Sequence, residues 1–439
     1  MTPILLEWSG LDAAARRAAL GRPALDSRAD LVAKVAAIVD DVRDRGDAAL
    51  REYSARFDGV QRQALRVEAV EFDAALSRLS AAAVAAMERA VANVRRFHEA
   101  QRLAPLSIET SPGVRCERIL RPIQAVGLYV PAGSAPLPSA LIMSAVPATI
   151  AGCPRIALCT PPGKDGCVDA AILAAARICG VDEVYRVGGA QAIAALAYGT
   201  ASIPKVDKIF GPGSAWVTAA KQRVAADPAG AALDLPAGPS EVLVVADDSA
   251  RAEFVAADLL AQAEHDLLAQ AILVTTSRDL ALAVQREVDA QQRQLSRFAV
   301  LESSVAQSRI LRVADLETAL EVANAYAPEH LILQVRDPRR WLERVTNAGS
   351  VFLGEWTPEP MGDYCSGTNH VLPTYGHARA YSGLSLLDFL KRITVQEITP
   401  AGLQDLGPTA VTLAELEGLD AHASAVNRRL AVLRAGASR

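Results

Sequence analysis

Apolar positions change their period along this chain. Over the first hundred or so residues they recur every three or four positions, which predicts helices. Ser27 and Asp30 offer an N-cap and a capping-box-like partner, and Leu31, Val35 and Ile38 follow at helical spacing. An Ala-rich run predicts a long helix from Ser80 to about Arg102, and no strong strand signal precedes Pro105. From about residue 121 short β-rich apolar runs alternate with helical stretches. Strands are predicted over 126–130, 156–159, 184–187 and 208–210, with helices over 139–150, 170–178 and 190–198. A second alternation starts near Ser240. Its strands are 242–246, 272–275, 331–335 and 351–354, and its helices 250–264 and 316–326. Apolar strands separated by helices predict parallel sheets covered on both faces. From about residue 381 the pattern turns helical again, with Thr412 and Glu415 as a capping box.

Several strands of the first series run into turns of small residues: Pro131-Ala132-Gly133, Gly188-Gly189-Ala190 and Gly211-Pro212-Gly213-Ser214. Glycine lets a backbone approach a phosphate, and a following helix N-terminus favours an anion. There is no G-x-G-x-x-G, so on pattern alone a nucleotide site and ordinary βα turns stand level.

At 439 residues, 51% hydrophobic and 22% charged, the chain has length for two or three domains. A net charge of −5 argues against nucleic acid or an anionic membrane as the main partner. The first eight residues lack a basic start and a continuous apolar core, so no signal peptide is expected. The most apolar region, 137–151, is short and carries Pro138 and Pro147, which rules against a membrane span. A cytoplasmic protein is expected. Its cysteines, Cys116, Cys153, Cys159, Cys167, Cys179 and Cys365, form no C-x-x-C pair and read as free thiols.

The chemistry is carried by few residues. Four of the six histidines fall beside carboxylates or amides: Gln262-Ala263-Glu264-His265, Glu329-His330, the stretch Asp363 to His370, and Glu417 with His422. Gln262 lies on a core-facing helical stripe with Val255 and Leu259, and alone this pair reads as a hydrogen-bonded core pair. Glu329-His330 sits at a helix-to-strand junction after Pro328. It suits proton transfer, because imidazole titrates near ~6.5, or is an exposed turn. His422 on the last helix, taken singly, is an ordinary core or interface histidine. Together the segments offer mixed nitrogen and oxygen ligands for a metal, which fit zinc, and a separate acid–base pair. The absence of cysteine ligands points to a catalytic site.

The order and combination of several segments resemble the histidinol dehydrogenase family over nearly the full length. These are Tyr129 to Ser139, Gly188 to Ala194, Pro236 to Glu241, Gln262 to His265, Ala327 to Leu331 and Ser366 to Thr374. The resemblance implies an α/β fold with two Rossmann-like parallel-sheet domains of aldehyde-dehydrogenase-like architecture, a helical N-terminal segment and a helical C-terminal tail. It divides the chain into 1–120 packing with a metal- and substrate-binding 237–380, an NAD-binding 121–236, and a dimerisation tail 381–439. It implies oxidation of L-histidinol to L-histidine through L-histidinaldehyde, with two NAD⁺ in turn and one zinc ion per subunit. Gln262, His265, Asp363 and His422 match the family's zinc ligands, and Glu329 and His330 its acid–base pair. Ser240, His370 and Glu417 match substrate positions, joined by Gln262, His265, His330, Asp363 and His422 around the metal. Tyr129 and Gln191 match cofactor positions, and Ser214 stands where the family usually has Asn. The implied assembly is a homodimer with exchanged C-terminal tails, so Glu417 and His422 would enter the neighbouring subunit's site. Three rivals remain: a thiol-dependent aldehyde dehydrogenase using Cys116 or Cys153, a relative acting on another alcohol, and a non-catalytic binder.

Overall fold

The computed structural model describes residues 2–23, 28–61, 63–132, 135–236 and 238–436. Ser27, the expected first N-cap, lies outside them, as do Gly133 and Ser134 of the first small-residue turn. The strands in chain order are β1 (Ile4–Glu7), β2 (Leu106–Ser111), β3 (Val114–Pro122), β4 (Ala125–Tyr129), β5 (Arg155–Thr160), β6 (Glu183–Arg186) and β7 (Lys208–Phe210). Then come β8 (Ala232–Leu233), β9 (Glu241–Ala246), β10 (Gln270–Thr275), β11 (Arg309–Arg312), β12 (His330–Gln334), β13 (Ser350–Leu353) and β14 (Leu390–Ile398). The chain divides into two compact units, Met1–Gln101 with Ile123–Phe389, and Arg102–Pro122 with Leu390–Arg439.

The larger unit holds two parallel sheets, in the orders β6-β5-β4-β7-β8 and β1-β11-β10-β9-β12-β13. Counted from β4 and from β9, each series runs 3-2-1-4-5, the order of doubly wound nucleotide-binding sheets. β9 and β10 are buried at every position, so alternate residues serve opposite faces. Val242 and Val244 pack with Val255 and Leu259 of the Ala252–Ala263 helix on one side. Leu243 and Val245 pack with Ala323 and Tyr326 of the Leu316–Tyr326 helix on the other.

The N-terminal part divides between the sheets, which corrects the expected packing of 1–120 onto 237–380. β1, Ala19 and their apolar neighbours join the second sheet. The Arg28–Arg45 and Asp47–Tyr53 helices instead bury Val35, Val39, Val42 and Leu50 against Ala190, Ile193 and Leu196 on the first. Helical periodicity specifies an apolar face but not the surface that will cover it. The Gly189–Tyr198 helix, lined with alanines, offers a shallow surface into which those valines and Leu50 fit.

The smaller unit is the antiparallel sheet β14-β3-β2 followed by a helical hairpin, Pro400–Leu416 and Asp420–Gly436. The expected change to helix at 381 is therefore corrected: a nine-residue strand precedes the helices. The capping assignment also moves. Thr399 caps the first helix by accepting the Gly402 N–H at 3.1 Å, while Thr412 lies inside it and donates to the Pro408 carbonyl at 3.0 Å. Among the described residues, no helix is long and apolar enough to cross a membrane.

Candidate active site

The second sheet gathers Glu329 and His330, the expected acid–base pair, at the amino ends of its central strands. Pro328 and the left-handed Ala327 (φ 55°) stop the Leu316–Tyr326 helix, and the chain enters β12 at His330. β12 pairs with β9 so that His330 sits beside Val242, one residue past Glu241. The Glu241 N–H donates to Glu329 Oε2 at 2.9 Å, and the Glu241 carbonyl lies 3.3 Å from His330 Nδ1. Glu329 and His330 are both buried, 3.7 Å apart. The exposed-turn alternative for this pair is thereby removed.

Two further carboxylates face His330. Glu359 Oε1 is 3.9 Å from Nδ1, and Asp363 Oδ1 is 3.5 Å from Nε2. Both ride on the short Glu359–Tyr364 helix. That helix lies close under β13 because Gly362 has no side chain: an added Cβ would stand 2.6 Å from the Phe352 ring. The Gln262 amide, with its nitrogen facing acceptors, donates to Glu359 Oε1 at 3.0 Å and to the Glu241 carbonyl at 3.3 Å. Its oxygen is left free to serve as a ligand atom. Glu359 was not anticipated; the sequence signal was one carboxylate between Pro358 and Pro360.

Burial raises Glu329 and Glu359, each to about 8, against the opposing charge of His330. Burial alone would lower His330, but Glu359, Glu329 and Asp363 outweigh it and push the imidazole up to about 10. Asp363 goes the other way: burial would raise it, yet His330 and the neighbouring imidazoles hold it below the usual carboxylate range.

A metal would fit here. His265, Glu359 and Asp363 offer ligand atoms all within 4.8 Å of one another. Among the described residues, Asp363 Oδ1 and His330 Nε2 are buried with no hydrogen-bond partner beyond their 3.5 Å approach to each other, a costly arrangement unless a ligand completes it. His265 follows the C-terminus of the helix that carries Gln262 and is exposed. His370 is half-buried, and its Nδ1 donates to the Asp363 carbonyl at 2.9 Å, leaving Nε2 as an acceptor. Ser240 is half-buried immediately before β9, and its carbonyl accepts the Gln270 N–H at 3.2 Å. Glu417 and His422 belong to the smaller unit, exposed around the turn of its helical hairpin.

The cofactor candidates lie on the first sheet at the opposite, carboxyl ends of the strands, around the switch between β4 and β7. Tyr129 ends β4, and its hydroxyl accepts the Gly189 N–H at 3.1 Å. Gln191 is buried on the first turn of the Gly189–Tyr198 helix. Gly211 has φ 115° and presses on the Tyr129 backbone, where no side chain would fit. Its N–H donates to Asp234 Oδ2 at 2.8 Å and its carbonyl accepts from Lys221 Nζ at 3.0 Å. The buried Lys221–Asp234 pair thus clamps the turn that leads to Ser214, which precedes the Ala215–Ala225 helix with its hydroxyl making no cap bond.

The thiol alternative fares poorly at Cys153. Burial pushes the Cys153 thiol up to about 11, where thiolate is scarce.

The histidinol dehydrogenase family model matches residues 21–430. The chain belongs to the histidinol dehydrogenase family. The histidinol dehydrogenase of Xanthomonas campestris is 55% identical over 427 residues, covering 97% of this chain and 99% of its own. That of Vibrio vulnificus is 52% identical over 428 residues, with 98% of each covered. The crystal structure of histidinol dehydrogenase from Elizabethkingia anophelis superposes with a TM-score of 0.95 at 43% identity, covering 98% of this chain and 99% of that one.

Proposed function

We propose that this chain oxidises L-histidinol to L-histidine through L-histidinaldehyde, as a cytoplasmic enzyme using zinc and NAD. It is an oxidoreductase of histidine biosynthesis. The observation that carries the reading is the buried Glu329–His330 pair beside the Gln262, His265 and Asp363 ligand set, in a chain matching histidinol dehydrogenases from end to end.

Gln262, His265 and Asp363, with His422, would hold the metal. Tyr129, Gln191 and Ser214 would meet the cofactor in the 121–236 part, while 237–380 binds metal and substrate. When bound, the zinc would supply an orienting site for the substrate's imidazole and amine, and NAD⁺ would supply the hydride acceptor for each half-reaction. In the unprotonated forms that a bound cation favours, His330 takes the proton of the substrate hydroxyl in the first oxidation. Glu329 takes a proton from the water that hydrates the aldehyde, while His330 returns its proton to the carbonyl oxygen and is free again. His330 then takes the hydrate's proton in the second oxidation. Ser240, His370 and Glu417 hold the substrate's polar groups. An aldehyde kept in place between the steps reacts intramolecularly instead of escaping.

The assembly we propose is a homodimer with exchanged tails, in which Glu417 and His422 complete the other copy's site. Leu416 and Leu419 flank Glu417 and are 79% and 40% exposed, a patch suited to docking on protein.

The test is NADH yield from limiting L-histidinol, with a chelator and with zinc restored. Two NADH per histidinol, lost on chelation and recovered with zinc, is the expected result. One NADH would break the second half-reaction, and none from folded, zinc-loaded protein would overturn the reading.

A further inference from the structure

Glu241 serves both members of the acid–base pair through its main chain. Its N–H donates to Glu329 Oε2 at 2.9 Å and its carbonyl stands 3.3 Å from His330 Nδ1. Any shift of this residue's backbone moves both groups. Its buried side chain makes a different set of contacts. The Glu241 carboxylate accepts from Arg22 Nε at 2.6 Å, from Arg22 Nη2 at 2.9 Å and from the Tyr326 hydroxyl at 2.8 Å. Arg22 also donates to the Tyr326 carbonyl at 2.9 Å, and its guanidinium lies 4.0 Å over the Tyr326 ring. The side chain of Arg22 is only 13% exposed.

We propose that Arg22 is a positioning residue for the oxidation, fixing through the Glu241 carboxylate the stretch of backbone that aligns Glu329 and His330. The inference rests on the proposed activity. A two-pronged guanidinium–carboxylate contact sets orientation as well as distance, which a point charge does not. Removing Arg22 leaves a buried carboxylate without its cation, and the start of β9 must move to relieve it. Two groups that transfer protons are then displaced together. Arg22 is none of the metal candidates, and zinc content measured on each variant separates this loss from loss of metal through Gln262, which also donates to the Glu241 carbonyl. It is also remote in sequence, 219 positions before Glu241.

The experiment compares R22Q, R22K, H330N and the R22Q/H330N double variant at saturating histidinol and NAD⁺, with zinc content and melting midpoint measured on each. R22Q should lose about 10–100-fold in kcat, the range for residues that orient a site's working groups. Its KM for histidinol and its zinc content should stay within about twofold. R22K should recover only a small part of the loss. In the H330N background R22Q should cost clearly less than it does alone, because one of the two groups it aligns is already gone. An R22Q protein with unchanged kcat overturns the proposal. So does a double variant in which R22Q multiplies the H330N loss by its full factor, since that marks a merely structural role. If R22Q does not fold, R22K and R22K/H330N supply the same two comparisons. No NADH from the unsubstituted protein would remove the activity reading and this role with it, whereas an active unsubstituted protein with unchanged variants removes the role alone.

Discussion

At Glu329 and His330 burial and charge pull in opposite directions, and the balance sets what each group can do. Changing His330 to Asn keeps the size and a hydrogen bond but removes the base. Turnover should fall about 10²–10⁴-fold, the usual worth of general acid–base catalysis, with zinc content unchanged; steady-state kinetics beside metal analysis check this. Glu329→Gln should slow histidinol oxidation more than oxidation of supplied aldehyde, because aldehyde added from water arrives partly hydrated. The metal-free protein should also show a clear pH signature. Glu329 and Glu359 rise to about 8 and His330 to about 10 on folding, so each binds its proton more tightly in the folded state. Their stabilisation is complete below the ordinary values and is lost as pH rises through the raised ones. The melting midpoint measured in chelator should fall between about pH 6 and pH 9, and zinc should flatten the slope. Most of this site was legible, because histidines and their polar neighbours stand out in an apolar sequence. Glu359, Glu241 and Arg22 were not. Two of them act beneath the reacting groups, one through its backbone, and no residue type signals such a role.

Among elements, the Glu359–Tyr364 helix leaves little room for a larger residue at Gly362. Gly362→Ala would put a methyl 2.6 Å from the Phe352 ring and push away the segment that carries Glu359 and Asp363. Overpacking of this kind costs roughly 1–3 kcal/mol. Zinc retention should weaken by about 10–100-fold, which titration against a competing chelator would measure. The central strands were readable because continuous apolar runs bounded by turn residues have few other homes. β1, β11 and β14 were not read. β1 and β11 are four residues long and gain their pairing from distant chain, and β14 is mostly exposed, with weak apolar contrast. The N-terminal helices were recognised as helices, yet their docking surface was misjudged, since amphipathicity carries no address.

For the whole molecule the proposed tail exchange makes a prediction about His422. Mixing subunits tests it. If the tails exchange, an H330N chain paired with an H422A chain forms one site with both defects and one with neither. Refolding the two inactive proteins together should therefore restore activity, at about a quarter of the unsubstituted level for random pairing. If each chain completes its own site, every site carries a defect and nothing returns. A monomer with full activity would also overturn the exchange. The family resemblance reaches this scale more readily than physical reading does, because exposed leucines advertise a partner without naming it.

Position 241 has a consequence for how this sequence can drift. The atoms that hold Glu329 and His330 there belong to the peptide backbone, and nearly every replacement keeps them. Proline is the exception, since it alone removes the N–H. In a library of all replacements under selection for histidine synthesis, the survivors at 241 would be sorted by how well they seat against Arg22 and Tyr326. An acid would be favoured there for its pairing with Arg22 and not for any ability to move protons. A site can thus be held constant by atoms that the genetic code hardly varies, while the visible letter records only what steadies them from below.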